Sequence, residues 1–146
     1  MKRWWLCMLA LTACLALSGC QKQQAPAPGG LALRLDGEAT ASGSIDPDAE
    51  GLRVYVTLDG APLIDLPFDE AHTLTVEQPG VGQNTVVLTG NAVYMESADC
   101  EGQDCVQMGE VTAENLELRV MGGFIVCLPH RLSVEVRETG NGGAQP

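Results

Sequence analysis

The chain has 146 residues, 8 of them Lys or Arg and 19 Asp or Glu, for a formal charge of −11. That length supplies one domain, and 45 % hydrophobic with 18 % charged residues suits a folded protein better than a disordered one. Such acidity argues against nucleic-acid binding by phosphate neutralisation, which needs clustered Lys and Arg.

Residues 1–19 read as an export signal. Lys2 and Arg3 form a basic flank, and Trp4 to Leu17 is an apolar stretch short for a bilayer span. It ends in Leu17-Ser18-Gly19-Cys20, which resembles the bacterial lipobox, so Cys20 is the expected lipidation site. Cleavage there removes Lys2 and Arg3 and leaves 6 basic against 19 acidic residues, a charge of −13. It also removes Trp4 and Trp5, so Tyr55, Phe68, Tyr94 and Phe124 are the only aromatics left, too few for a sugar-stacking or base-stacking surface. Residues 20–30, with Gln21 to Gly30 reading QKQQAPAPGG, form a polar Pro- and Gly-rich tether. The expected location is extracytoplasmic, on the bacterial cell membrane, held by acyl chains because the net charge disfavours anionic headgroups.

Residues 31–138 are expected to form one all-β domain. Leu52, Val54, Val56 and Leu58 alternate with Arg53, Tyr55 and Thr57, and Leu132, Val134 and Val136 alternate with Ser133 and Glu135. Leu116, Leu118 and Val120 repeat that pattern, which is that of a strand with one buried face. Shorter runs at Leu31–Leu35, Thr73–Val76, Thr85–Leu88, Ala92–Glu96 and Phe124–Leu128 read likewise. Asp59-Gly60, Pro79-Gly80, Gly90-Asn91 and Gly122-Gly123 mark turns, and Asp59-Gly60 is the strongest hairpin signal. Only Gly102–Met108 favours a helix, of a turn or two. About eight short strands imply a compact antiparallel β-sandwich or barrel. Whether residues 31–51 join the sheet is open at this point, and residues 139–146 read as a flexible tail.

Three cysteines, Cys100, Cys105 and Cys127, remain beyond the signal and Cys20. Outside the cytoplasm thiols tend to oxidise, and an odd number leaves one over from any pairing. A Cys100–Cys105 bridge would contribute about 2 kcal/mol through loop entropy. Cys127 shares the parity of Ile125, opposite Phe124, Val126 and Leu128, as a buried apolar thiol would. Three readings stand side by side: a structural bridge with a buried thiol, a redox or partner-bridging thiol, and a Cys3His metal site of Cys100, Cys105, Cys127 and His130. The first is favoured, because metal-binding cysteines usually come in closer-spaced pairs.

Other candidates are weaker. Asp46-Pro47-Asp48-Ala49-Glu50 has alternating carboxylates but lacks the Gly and distant Glu of a calcium loop. His72 reads as a satisfied residue rather than a base, and Asp65 or Asp69-Glu70 have no accompanying nucleophile.

Between Ala92 and Val136 the chain carries Glu96-Ser97-Ala98-Asp99-Cys100, Cys105-Val106, Gly109 and Ile125-Val126-Cys127-Leu128-Pro129-His130-Arg131-Leu132. With these pieces it resembles the NusG domain II family, a β-rich domain inserted in the NusG of some bacteria that also occurs alone in exported proteins. Upstream, Val54–Gly60 and Asn84 before Thr85–Leu88 fit an opening hairpin and a middle strand, so the likeness is strongest over residues 52–138. Glu101 stands where proline often follows the first Cys, and the other domains of NusG are absent. The resemblance implies an all-β, exported, tethered module and does not carry transcription control with it. The expected function is a lipid-anchored, non-enzymatic interaction or accessory module for another envelope protein, without a cofactor. The alternative is a redox or metal accessory protein using Cys100, Cys105, Cys127 and His130.

Overall fold

The computed structural model describes residues 30–43 and 48–140. The signal, Cys20, most of the tether, Asp46 and Pro47 of the acidic turn, and residues 141–146 lie outside them.

Ten strands and one helical turn follow in order among the described residues: β1 (Ala32–Leu35), β2 (Glu38–Thr40), β3 (Gly51–Leu58), β4 (Ala61–Pro67), β5 (Ala71–Gln78), β6 (Gly82–Thr89), β7 (Ala92–Ala98), α1 (Asp104–Gln107), β8 (Val111–Thr112), β9 (Phe124–Cys127) and β10 (Leu132–Thr139). They form two sheets, ordered β2-β1-β5-β6-β7-β8 and β4-β3-β10-β9, with every pairing antiparallel. The architecture is an open sandwich and not a closed barrel.

The alternation does what period-two burial requires. Val54 and Val56 of β3, Leu74 and Val76 of β5, Val86 and Leu88 of β6, and Leu132, Val134 and Val136 of β10 fill the space between the sheets. Tyr55 has the opposite parity but is also buried, because the Arg137 guanidinium lies 3.8 Å over its ring. Asp59-Gly60 makes the expected hairpin: both residues are left-handed (φ 52° and 77°) and Leu58 pairs with Ala61.

Within residues 31–51, β1 and β2 join the sheet. β1 pairs with β5 and carries β2 on its other side through a second left-handed pair, Asp36-Gly37. β4 is a strand the alternation does not announce. Pro62 and Pro67 suit an edge strand, and a register shift opposite Val56/Thr57 lets consecutive Leu63 and Ile64 both be buried. Thr139, expected in the tail, is the last residue of β10 and pairs with Gly51.

One expected strand is absent. Residues 113–123 wind through successive turns, leaving Leu118 and Val120 exposed while Leu116 packs against the core. Asn115 starts this path: its carboxamide oxygen accepts the Thr112 N–H at 2.8 Å and its amide donates to the Glu110 carbonyl at 3.1 Å. Arg119 then donates to the carbonyls of Gly122 (3.1 Å), Met108 (3.1 Å), Glu110 (2.6 Å) and Phe124 (3.4 Å). Those bonds fold the segment back on itself, so its side-chain alternation never acquires a strand partner. At its end, a side chain on Gly123 would run into the Val136 carbonyl, a close approach that only glycine permits.

Candidate functional site

The three cysteines converge from both sheets. Cys100 follows β7, and Gly102 and Gln103, both left-handed (φ 85° and 53°), reverse the chain into α1. Gln103 fixes that reversal by donating to the Ala98 carbonyl at 3.0 Å. The single helical turn keeps Asp104 and Gln107 in solvent and turns Cys105 inward. From the other sheet, β9 points Ile125 and Cys127 into the core, where Cys127 lies across from Leu132 of β10.

The Sγ atoms of Cys100 and Cys105 are 3.9 Å apart, those of Cys127 and Cys100 are 3.6 Å apart, and all three lie within 4.8 Å of one another. Cys105 and Cys127 are 1 % exposed and Cys100 8 %. All three are free thiols, so no pair is bridged. Burial pushes the Cys105 thiol up to about 12, helped by its contact with Cys127, and burial also raises Cys100. Burial thus favours the protonated forms of Cys100 and Cys105, and a protonated thiol is a poor nucleophile.

His130 is not in this cluster. The turn after β9, closed by Arg131 N–H to the Leu128 carbonyl at 3.1 Å, carries the imidazole to another part of the core. There Nδ1 lies 2.7 Å from Asn84 Oδ1 and Nε2 3.4 Å from Asp99 Oδ1, with His130 3 % exposed. The Asn84 amide group reaches the Met95 sulfur at 3.5 Å, Gln78 donates to the His130 carbonyl at 3.0 Å, and Asp99 also accepts the Gln83 N–H at 2.7 Å. The structure thus brings together three of the four residues of the Cys3His reading and separates the fourth.

The remaining candidates are placed apart from the cysteines. His72 lies between Asp36 (2.8 Å) and Glu70 (3.1 Å) near the surface, and Asp65 accepts from Arg53 Nε at 2.9 Å. Among the described residues neither group joins the cysteine cluster. Sequence reasoning passed over Gln78 and Asn84 as polar anchors of the core. The available signal was parity: Asn84 shares the face of Val86 and Leu88, and Gln78 that of Leu74 and Val76.

An antiparallel two-sheet sandwich with a buried cysteine trio defines the structural class. The sequence profile of NusG domain II matches residues 9–140, and the chain belongs to the NusG domain II family. Among solved structures, it is similar to the crystal structure of the Lin0431 protein from Listeria innocua, with a TM-score of 0.53 and 21 % identity over 62 % of this chain and 100 % of that one. The solution structure of the same Listeria protein gives a TM-score of 0.54 at 21 % identity, over 66 % of this chain and 82 % of that one. A DUF1312 family protein from Enterococcus faecalis gives 0.53 at 17 % identity, over 61 % and 99 %. These likenesses establish a shared fold. No curated protein matches the chain.

Proposed function

We propose that this protein is a lipid-anchored, extracytoplasmic, non-enzymatic module that docks against another envelope protein. The observation that carries the reading is an apolar surface held out by the segment from Leu118 to Leu128. Leu118 is 83 % exposed, Leu128 79 %, and Val120 is fully exposed, with Met121 and Phe124 partly so. The Arg119 side chain donates to four backbone carbonyls, so Leu118, Val120 and Met121 are carried by a hydrogen-bonded loop. Five exposed apolar side chains within eleven residues of chain support a protein contact as their use. The lipobox-like Leu17-Ser18-Gly19-Cys20 supports anchoring at Cys20, and the strong acidity supports a protein partner over an anionic bilayer.

The test uses the full chain extracted from membranes in mild detergent. It should migrate in a complex with one envelope protein, and Leu118→Ser/Val120→Ser should migrate alone while unfolding within about 0.5 kcal/mol of the parent, as surface changes do. Retention of the partner by the double variant refutes the reading. Binding of a Cys20→Ala chain to phospholipid vesicles, lost in the double variant, would make the surface a bilayer contact and refute it equally.

A further inference from the structure

We infer that Cys100, Cys105 and Cys127 form a three-thiolate site for a soft, closed-shell monovalent metal ion of the Cu(I) class. The inference stands on the cysteine geometry and is independent of the docking surface. Sulfur ligands about 2.3 Å from one ion stand about 3.8 Å apart in a tetrahedral arrangement and about 4.0 Å apart in a trigonal one. Two observed separations, 3.6 and 3.9 Å, bracket the tetrahedral value and approach the trigonal one, and the third lies within 4.8 Å, so the three sulfurs are near enough to share one ion.

The donor set selects the ion. Thiolates prefer Cu(I), zinc or iron–sulfur clusters to hard cations. Structural zinc takes four protein ligands, and among the described residues the cluster offers three. The nearest sequence candidate for a fourth, His130, has its nitrogens facing Asn84 and Asp99. A buried site with three sulfurs and no histidine suits an ion that is content with three neighbours. The ligands come from two sheets, so a bound ion would tie the sheets together through Cys127. Cys100, the most exposed of the three, gives the way in, flanked by exposed Asp99, Glu101 and Asp104 that favour approach of a cation. Each thiol that ligates releases its proton to solvent as the ion enters.

The experiment uses the full chain with Cys7, Cys14 and Cys20 replaced by Ala, purified anaerobically and reduced, so that the trio supplies the only thiols. Cu(I) is delivered from a chromophoric chelator and Ag(I) serves as the redox-inert probe. One equivalent should bind, with sulfur-to-copper charge-transfer absorption and three sulfur neighbours by X-ray absorption. Cys100→Ser, Cys105→Ser and Cys127→Ser should each weaken binding by more than about 100-fold, the upper end of what losing a mere supporting contact does, while His130→Gln leaves it unchanged. Failure to bind one equivalent, two sulfur neighbours or a nitrogen neighbour, equal affinity for Zn(II), or a serine variant that keeps its metal overturns the inference. Should the serine variants not fold, the X-ray absorption of the intact trio decides alone.

Discussion

Cys127 and His130 are three residues apart in the chain and lie in opposite chemical situations. Cys127 packs in the apolar core with the Cys100 and Cys105 sulfurs within 4.8 Å, groups that donate and accept weakly and leave the sulfur lone pairs available. His130 has an oxygen near each nitrogen and a donor at its carbonyl, so it links β5, β6, Asp99 beyond β7 and the β9–β10 turn. Both side chains are buried, but only one has coordination capacity left over. The contrast makes a prediction: the thiols should be less costly to replace for folding than the polar anchor.

The sharpest way to break that contrast is His130→Ala. It orphans the Asn84 carboxamide oxygen in a site with no solvent access and leaves a cavity the size of an imidazole. The expected loss is about 3 kcal/mol in urea unfolding, combining an unsatisfied buried acceptor with lost packing, with Cu(I) affinity of the folded fraction unchanged. A loss of metal affinity without a loss of stability would place His130 with the cysteines after all. Gly82→Ala should act on the same anchor from the opposite side, since its new Cβ would collide with the His130 ring and the Asp99 carboxylate. Displacing that ring should remove about 2 kcal/mol, within the range for forced overpacking.

Cys105→Ala probes the other half. It deletes one small buried sulfur, and the expected loss is about 1 kcal/mol, measured in the same urea series without metal. A loss as large as that of His130→Ala would mean the thiols are core-critical and would erase the contrast.

How far the chain announces these two sites follows from local rules and their limits. The inward parity of Cys127 with Ile125 is legible because β9 is a regular strand, and the reversal that brings Cys105 beneath Cys100 is suggested by the helix-friendly Gly102–Met108. That His130 parts from Cys127 is not legible, because it depends on the direction of the turn beyond Pro129 and on Asn84, a residue 46 positions away. Leu116, Leu118 and Val120 show the same limit from another side. Their alternation matches that of β10 residue for residue, but a strand needs a neighbour to pair with, and the Asn115 and Arg119 hydrogen bonds to backbone carbonyls remove the segment from the sheet. β4 is hidden for the converse reason: two prolines and a bulge disguise a strand that its partner β3 nonetheless enforces.

His72 supplies the mildest comparison, a second imidazole with both nitrogens engaged, but at the surface. Its hydrogen bond to Asp36 chiefly raises its pKa above the ordinary 6.5; burial opposes that rise, and the hydrogen bond to Glu70 adds a lesser one. Asp36 is lowered from 3.8, first by His72 and then by the Thr73 N–H, which it accepts at 2.8 Å. A raised histidine stabilises the fold fully below 6.5, and the gain disappears as pH climbs through the folded-state value. The lowered aspartate contributes above 3.8 and fades as pH falls through its own folded-state value. The pair is therefore most stabilising between those two ordinary values. Solvent screening holds the effect to a few tenths of a kcal/mol, the range of exposed ion pairs. His72→Gln should thus unfold slightly more easily than the parent at pH 5.5, and the difference should shrink toward zero by about pH 9. A difference that stays constant over that range would mean His72 acts through packing, and burial would no longer be what separates the two histidines.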